Sequence, residues 1–258
     1  MRLLRRFVNN NLRALVGYEI KKVGEEIQEF VVELDSDEIG LITDVLDSGY
    51  TLASVSRLVN TVKSCKYVVE NDIPGDFVEC GVWRGGNGIL AKKIFERMGS
   101  DKKVWMFDTF EGMTAPTKFD VQTQSKVPAE RRYKVKNNGA HSEWCYASLE
   151  EVRRNCEASS IKLESVRFVK GDVCETLGRE SNRPEHISVL RLDTDWYEST
   201  KIELETLYPI LAERGVLIID DYGYWDGSRK AVDEYFGKSQ DRPFFSVVDS
   251  AGRSAIKA

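Results

Sequence analysis

Four aspartates fall at the ends of two apolar runs, in Leu192-Asp193-Thr194-Asp195 and Ile218-Ile219-Asp220-Asp221-Tyr222. Carboxylates gathered at neighbouring strand ends repel one another and are costly to bury together, and a cation removes that cost. Oxygen donors with no histidine or cysteine among them select a hard ion, Mg²⁺ or else Mn²⁺ or Ca²⁺. Asp193 and Asp195 are two apart at a strand end and are expected on one side of the pleat. Of the neighbours Asp220 and Asp221, one is expected to point inward unless the chain turns at once. The alternative is a set of solvated strand-end aspartates with no ligand.

A glycine turn precedes them, in Glu79-Cys80-Gly81-Val82-Trp83-Arg84-Gly85-Gly86. Glycines let a backbone approach a bound molecule without a Cβ clash, which would suit NAD as well as another nucleotide. The Gly-x-Gly-x-x-Gly spacing of dinucleotide sites is missing. The Glu79 carboxylate would repel a pyrophosphate but attract the amino and sulfonium groups of S-adenosylmethionine. Asp108 lies 27 residues beyond Gly81, where it would accept hydrogen bonds from ribose hydroxyls or simply cap a turn. Asp172, in Lys170-Gly171-Asp172, is placed for an adenine edge and is equally a turn residue.

Strands and helices must alternate to position these groups. Leu58, Val62, Cys65 and Val69 recur on one helical face within 52–69, a helix ended by Asn71-Asp72-Ile73-Pro74-Gly75. Strands are expected at 76–80, 104–107, 166–169, 187–192 and 216–219, with helices at 86–98 and at 199–214, the latter closed by Gly215. Such alternation indicates a parallel sheet covered on both faces, a doubly wound Rossmann-like α/β domain. Segments 244–248 and 253–256 read as a terminal antiparallel hairpin on its edge. Gly112 to Asn138 is a polar insertion longer than ordinary connections and is expected to form a lid, since it follows a strand whose C-terminal end faces the ligand.

The 258 residues, 41% apolar and 31% charged, suffice for one large core or a core with an appended lobe. No apolar run approaches the roughly 20 residues of a membrane span, and a net charge of -5 offers no general attraction to nucleic acid. Five cysteines without a Cys-x-x-Cys pair argue against disulfides and zinc, so a cytoplasmic location is expected. Met1 to Ile20 reads as an amphipathic helix that covers its own domain or a twin subunit, rather than as a membrane anchor. Arg2 to Val16 are a candidate homo-oligomer contact. Residues 35–50 are acidic and weakly periodic, a loop or short helix. The organisation is thus an N-terminal helical extension, 1–50, and a catalytic domain, 51–258.

Four stretches together resemble one family. Residues 75–86, Phe107-Asp108-Thr109-Phe110-Glu111-Gly112, Asp193-Thr194-Asp195-Trp196-Tyr197-Glu198-Ser199-Thr200 and Ile219-Asp220-Asp221-Tyr222-Gly223 are similar to the macrocin O-methyltransferase (TylF) family. Its members are metal-dependent enzymes that use S-adenosylmethionine to methylate sugar hydroxyls. The resemblance, from about Tyr50 to Ala258, implies a class I methyltransferase fold with S-adenosylmethionine and Mg²⁺ as cofactors. It implies that Asp193, Asp220 and Asp221 bind the metal, that Asp195 is the general base and that Asp193 serves catalysis too. Glu79, Gly81, Asp108 and Asp172 would line the cofactor pocket, with Thr51 closing over the methionine end. Thr194 departs from the family, which more often has glycine there. Metal coordination would acidify the acceptor hydroxyl, and two neighbouring hydroxyls would favour a vicinal diol. His141 is a rival base, a phenolic hydroxyl a rival acceptor. An NAD-dependent dehydrogenase and a non-catalytic binding protein are the rival classes.

Overall fold

The computed structural model describes residues 31–237 and 242–258. The helix expected at Met1 to Ile20, with its homo-oligomer contact, lies outside them. The chain divides into two compact units, Met1–Asp44 and Val45–Ala258. Helix α1 (Ser36–Asp47) runs through the acidic stretch that allowed a loop or a short helix.

In the second unit, helix α2 (Val55–Glu70) begins where the Ser54 hydroxyl accepts the Arg57 N–H, and it buries Leu58, Val62 and Cys65. There follow β1 (Asp76–Cys80), α3 (Gly86–Arg97) and β2 (Val104–Asp108). Next come α4 (Ala129–Lys136), α5 (Leu149–Ala158), β3 (Val166–Lys170) and α6 (Val173–Thr176). The chain closes with β4 (Ile187–Leu192), α7 (Tyr197–Leu207), β5 (Leu211–Ile219), α8 (Asp226–Gly237), β6 (Ser246–Val247) and β7 (Arg253–Ile256).

Among the described residues the strands form one sheet in the order β3-β2-β1-β4-β5-β7-β6. The first five are parallel and β7 runs antiparallel to β5. The winding reverses between β1 and β4, where α/β sheets open a crevice for ligands. Every residue of β4 is buried, and β1 is buried from Phe77 onwards, as parallel strands covered on both faces must be. The doubly wound α/β class is as expected.

Two details differ from expectation. The helix predicted to run to Arg214 stops at Leu207, because Pro209 cannot supply an N–H to continue it. Gly215 is therefore not its cap. It lies within β5, beside Arg214 at φ 63°, where the pairing with β4 jumps from Leu211 to Val216. The insertion at Gly112–Asn138 holds no strand. It carries α4, and isolated antiparallel bridges join Val121 to Pro128 and Gln122 to Trp225.

Candidate active site

A cavity of about 370 Å³ opens beyond the carboxyl ends of the strands, within the range of small-molecule sites. Thr51, Glu79, Gly81, Asp108, Asp172, Asp193, Asp195, Asp220 and Asp221 all line it. His141 does not. Its ring pairs with Glu143 at 2.6 Å and stacks on Tyr146.

Each residue of the glycine turn is held by the elements around it. Gly81 has φ +83°, and a Cβ there would lie 2.0 Å from the Asp193 carbonyl oxygen. The glycine thus lets the C-terminal ends of β1 and β4 lie close side by side as much as it admits a ligand. Gly86 meets the segment before α2: its N–H donates to the Tyr50 carbonyl at 3.0 Å. A Cβ on Gly86 would come within 2.8 Å of the Thr51 Cβ. Asp108 accepts the Val82 and Trp83 N–H groups on Oδ2, at 2.8 and 3.0 Å, and the Phe110 N–H on Oδ1 at 2.8 Å. It fixes the glycine turn while lining the cavity. Asp172 Oδ1 caps α6 through the Cys174 N–H at 2.8 Å. Thr51 Oγ1 accepts the Ala53 N–H at 3.0 Å.

Carboxylate oxygens of Asp193, Asp195 and Asp221 lie within 4.8 Å of one another. The pleat is not the reason. Asp195 follows the end of β4 with φ +69°, a left-handed conformation that costs a non-glycine residue energy and is common at functional sites. The turn, locked by the Trp196 N–H on the Thr194 carbonyl, swings Asp195 back beside Asp193. Asp221 turns inward with a buried Oδ2 that has no hydrogen-bond partner. Burial raises the carboxyl pKa of Asp193 and Asp221 well above the usual range, and repulsion among the aspartates adds to it. Asp195 is pushed up to about 7, chiefly by burial, while side-chain hydrogen bonds with Asp221 and Trp225 oppose the shift. Such a cluster is held together against its own charge, and its oxygen donors fit a hard divalent cation.

Asp220 turns elsewhere. Its Oδ1 accepts from Arg191 Nη2 at 2.5 Å and its Oδ2 from Arg57 Nη1. Arg191, 0% exposed, also binds Glu79 at 2.8 Å and Asp193 at 2.6 Å. One buried guanidinium thus ties together the carboxylates of β1, β4 and the end of β5. Burial opposes its charge, but Asp193, Asp220 and Glu79 outweigh burial and raise its pKa. Even so, burial lifts the Glu79 carboxyl to about 7 against the pull of Arg191, and its Oε2 has no partner. Sequence reading missed both arginines. For Arg191 a signal existed: a charged residue inside the run Ile187-Ser188-Val189-Leu190-Arg191-Leu192 of a central parallel strand must have a buried partner. Glu203 on α7 was missed as well. It is fully buried, accepts the Thr194 hydroxyl at 2.9 Å and braces the Asp193–Asp195 turn from behind.

Gly112, Met113, Thr114 and Arg132 of the insertion line the cavity. Trp144, Trp196 and Trp225 pack edge against face, with ring centroids 5.1–6.0 Å apart, and Trp144 and Trp225 line the cavity with Met113 and Arg132. Buried Asp120 anchors the insertion by accepting the Tyr197 N–H at 2.8 Å, at the first turn of α7. The Trp196 indole N–H donates to the Thr114 carbonyl at 3.1 Å.

Comparison with known proteins identifies the family. Residues 9–252 match the family model of the macrocin O-methyltransferases (TylF). The chain is 35% identical over 230 residues to 8-demethyl-8-(2,3-dimethoxy-alpha-L-rhamnosyl)-tetracenomycin-C 4'-O-methyltransferase of Streptomyces olivaceus, covering 88% of this chain and 83% of that one. It is 35% identical over 206 residues to demethyldecarbamoylnovobiocin O-methyltransferase of Streptomyces niveus, covering 80% and 74%. Among solved structures, that of the O-methyltransferase NovP superposes with a TM-score of 0.69 at 34% identity, over 81% of this chain and 82% of that chain. The calicheamicin methyltransferase CalS11 superposes at 0.59 with 18% identity, over 95% and 96%, and shares the fold. On the combined strength of the glycine turn, the strand-end aspartates and these matches, the chain belongs to the macrocin O-methyltransferase (TylF) family and is an O-methyltransferase.

Proposed function

We propose that the protein transfers a methyl group from S-adenosylmethionine to a hydroxyl of a sugar on a natural product or surface glycan, with Mg²⁺ bound by Asp193, Asp220 and Asp221. The observation that carries this reading is a cavity lined both by the Glu79–Gly81 turn and by the strand-end aspartates. The relatives named for methylation of glycosylated compounds support the acceptor class.

The residues fit both groups. The partnerless Oε2 of Glu79 suits an ammonium, and S-adenosylmethionine when bound supplies an electrophilic methyl on a sulfonium. The partnerless Oδ2 of Asp221 suits a cation, and Mg²⁺ when bound supplies the Lewis acidity that makes a hydroxyl more acidic. Asp220 can serve the ion and its arginines together, since each carboxylate oxygen has two lone pairs. Asp195, with a pKa near 7, is matched to removing a hydroxyl proton at neutral pH. Asp195 would hold the proton the hydroxyl loses while the hydroxyl oxygen takes the methyl and the sulfonium S–C bond breaks to leave a neutral thioether. The tryptophan wall covers the apolar face of a sugar ring and excludes water. Glu203, through Thr194, holds the base in its left-handed turn.

The test separates base from ligands. Labelled cofactor and Mg²⁺ are incubated with free, nucleotide-linked and aglycone-linked sugars and with phenols. Asp195→Asn should lower kcat at least about 100-fold, the ordinary worth of a positioned base, while Mg²⁺ still raises its melting temperature. Asp193→Asn and Asp220→Asn should lose both effects. Methylation of phenols alone overturns the acceptor, and full turnover in excess EDTA overturns the metal.

A further inference from the structure

The insertion brings a cation to the cavity that no carboxylate in the described residues neutralises. Gly112–Asn138 carries six Lys and Arg against two Asp and Glu, in a chain whose net charge is -5. Two of its cations are paired with carboxylates: Lys126 with Asp226 and Lys134 with Glu130. Arg132 is different. It lies three residues after Ala129, the buried anchor of α4 against the tryptophan cluster, and so on the same helical face. Its guanidinium sits over the Trp144 ring at 4.3 Å, lines the cavity and is exposed there.

Stacking fixes the plane of a guanidinium while leaving its N–H fork free. That fork matches a carboxylate or phosphate with two parallel hydrogen bonds. Arg132 and the aspartates Asp193, Asp195 and Asp221 line the same cavity, so one small molecule can meet both the carboxylates and the guanidinium. The aspartates alone would repel an acidic acceptor. A fixed cation in the same cavity counters that repulsion and favours anions there.

We infer that Arg132, seated on Trp144, binds an oxyanion carried by the sugar acceptor, so that the enzyme selects acceptors bearing a carboxylate or phosphate. The inference rests on the sugar reading above and names the substrate class within it. Arg132 is a specificity residue; it takes no part in the proton transfer.

The experiment uses matched acceptors: a neutral hexopyranoside, its uronic acid, its 6-phosphate and the corresponding nucleoside diphosphate sugar. Methyl transfer and binding to the S-adenosylhomocysteine-loaded protein are both measured, at low and high salt. The expected result is a preference of about tenfold or more in kcat/KM or Kd for at least one acidic member, the size of one charge-assisted contact. Salt should weaken it, Arg132→Gln should erase it, Arg132→Glu should invert it, and Lys134→Gln should leave it in place. The uronic acid against the phosphate arms identifies which oxyanion the site takes. Equal use of neutral and acidic sugars, or a preference that survives Arg132→Gln, overturns the inference and leaves the sugar reading standing. Phenols turned over with no sugar bound or methylated would remove the sugar reading, and the inference with it.

Discussion

At the scale of single residues, the site is organised around Arg191 as much as around its aspartates. A buried ion pair is weak evidence for stability, because desolvation of both partners offsets their attraction. Removing one partner is a different matter. Arg191→Met would fill the same space but leave Glu79, Asp193 and Asp220 facing one another in the sheet with Arg57 alone on Asp220. We expect a loss of about 3–5 kcal/mol of unfolding free energy, the usual cost of an uncompensated buried charge, measured by urea denaturation at pH 7. The loss should shrink towards pH 5, because Glu79 and Asp193 have raised pKa values and protonation relieves their repulsion. A stability within about 0.5 kcal/mol of wild type would show that the guanidinium does not hold the carboxylates together. The aspartates themselves were legible in the sequence, since carboxylates after apolar runs point to strand ends. Their division of labour was not. Which of Asp220 and Asp221 turns inward depends on Arg57 and Arg191, which approach from α2 and from inside β4.

At the scale of elements, periodicity and punctuation carried most of the reading. The five parallel strands were visible because short β-branched runs end in glycine or aspartate, and their order at β1 and β4 places the crevice. What stayed hidden was set by tertiary contacts. Helix α5, from Leu149 to Ala158, buries only Val152 and Cys156, too few apolar residues to make a strong periodic signal. Helix α4 is mostly charged and is held by Ala129, a residue with no hydrophobic pattern around it. The contact of the C-terminal hairpin with the site was hidden too. Asp249, in the turn between β6 and β7, accepts the Ser54 hydroxyl at 2.6 Å, Arg57 Nε at 2.9 Å and the N–H groups of Ala251 and Gly252. It links the start of α2 to the sheet edge and aligns the arginine that holds Asp220. Burial alone would raise its pKa, but these hydrogen bonds and Arg57 hold it well below the usual carboxylate range. A depressed carboxylate stabilises the fold above its unfolded pKa of about 4 and loses that contribution as pH falls towards its folded value. Asp249→Asn should therefore lower the melting temperature by a constant amount between pH 5 and 8. The gap to wild type should close below about pH 4. A gap that is absent at neutral pH, or that widens in acid, would contradict this link.

At the scale of the whole molecule, the chain gathers buried carboxylates in one cavity and carries an excess of positive charge on the insertion that helps to line it. The folded state carries carboxyl groups whose pKa values burial has raised, so part of the folding free energy is spent on confining them. A ligand that binds the folded protein alone adds RT ln(1 + [L]/Kd) to its stability. If Mg²⁺ is that ligand, a hundredfold excess over Kd contributes about 2.7 kcal/mol. For a chain of this size each kcal/mol raises the melting temperature by about 2–4 °C. We expect calorimetry at pH 7.5 to show a rise of roughly 5–10 °C in saturating Mg²⁺ over EDTA. The rise should be lost in Asp221→Asn. That variant should melt near or above wild type in EDTA, because it removes one charge from the cluster and leaves an amide in the same place. Acid should act in the same direction as the substitution: below about pH 6 the EDTA form should gain on the Mg²⁺ form, because protons and the cation compete for the same oxygens. Identical melting curves in Mg²⁺ and EDTA across this pH range would mean that the fold tolerates its acidic centre without an ion, and would overturn the role assigned to the metal.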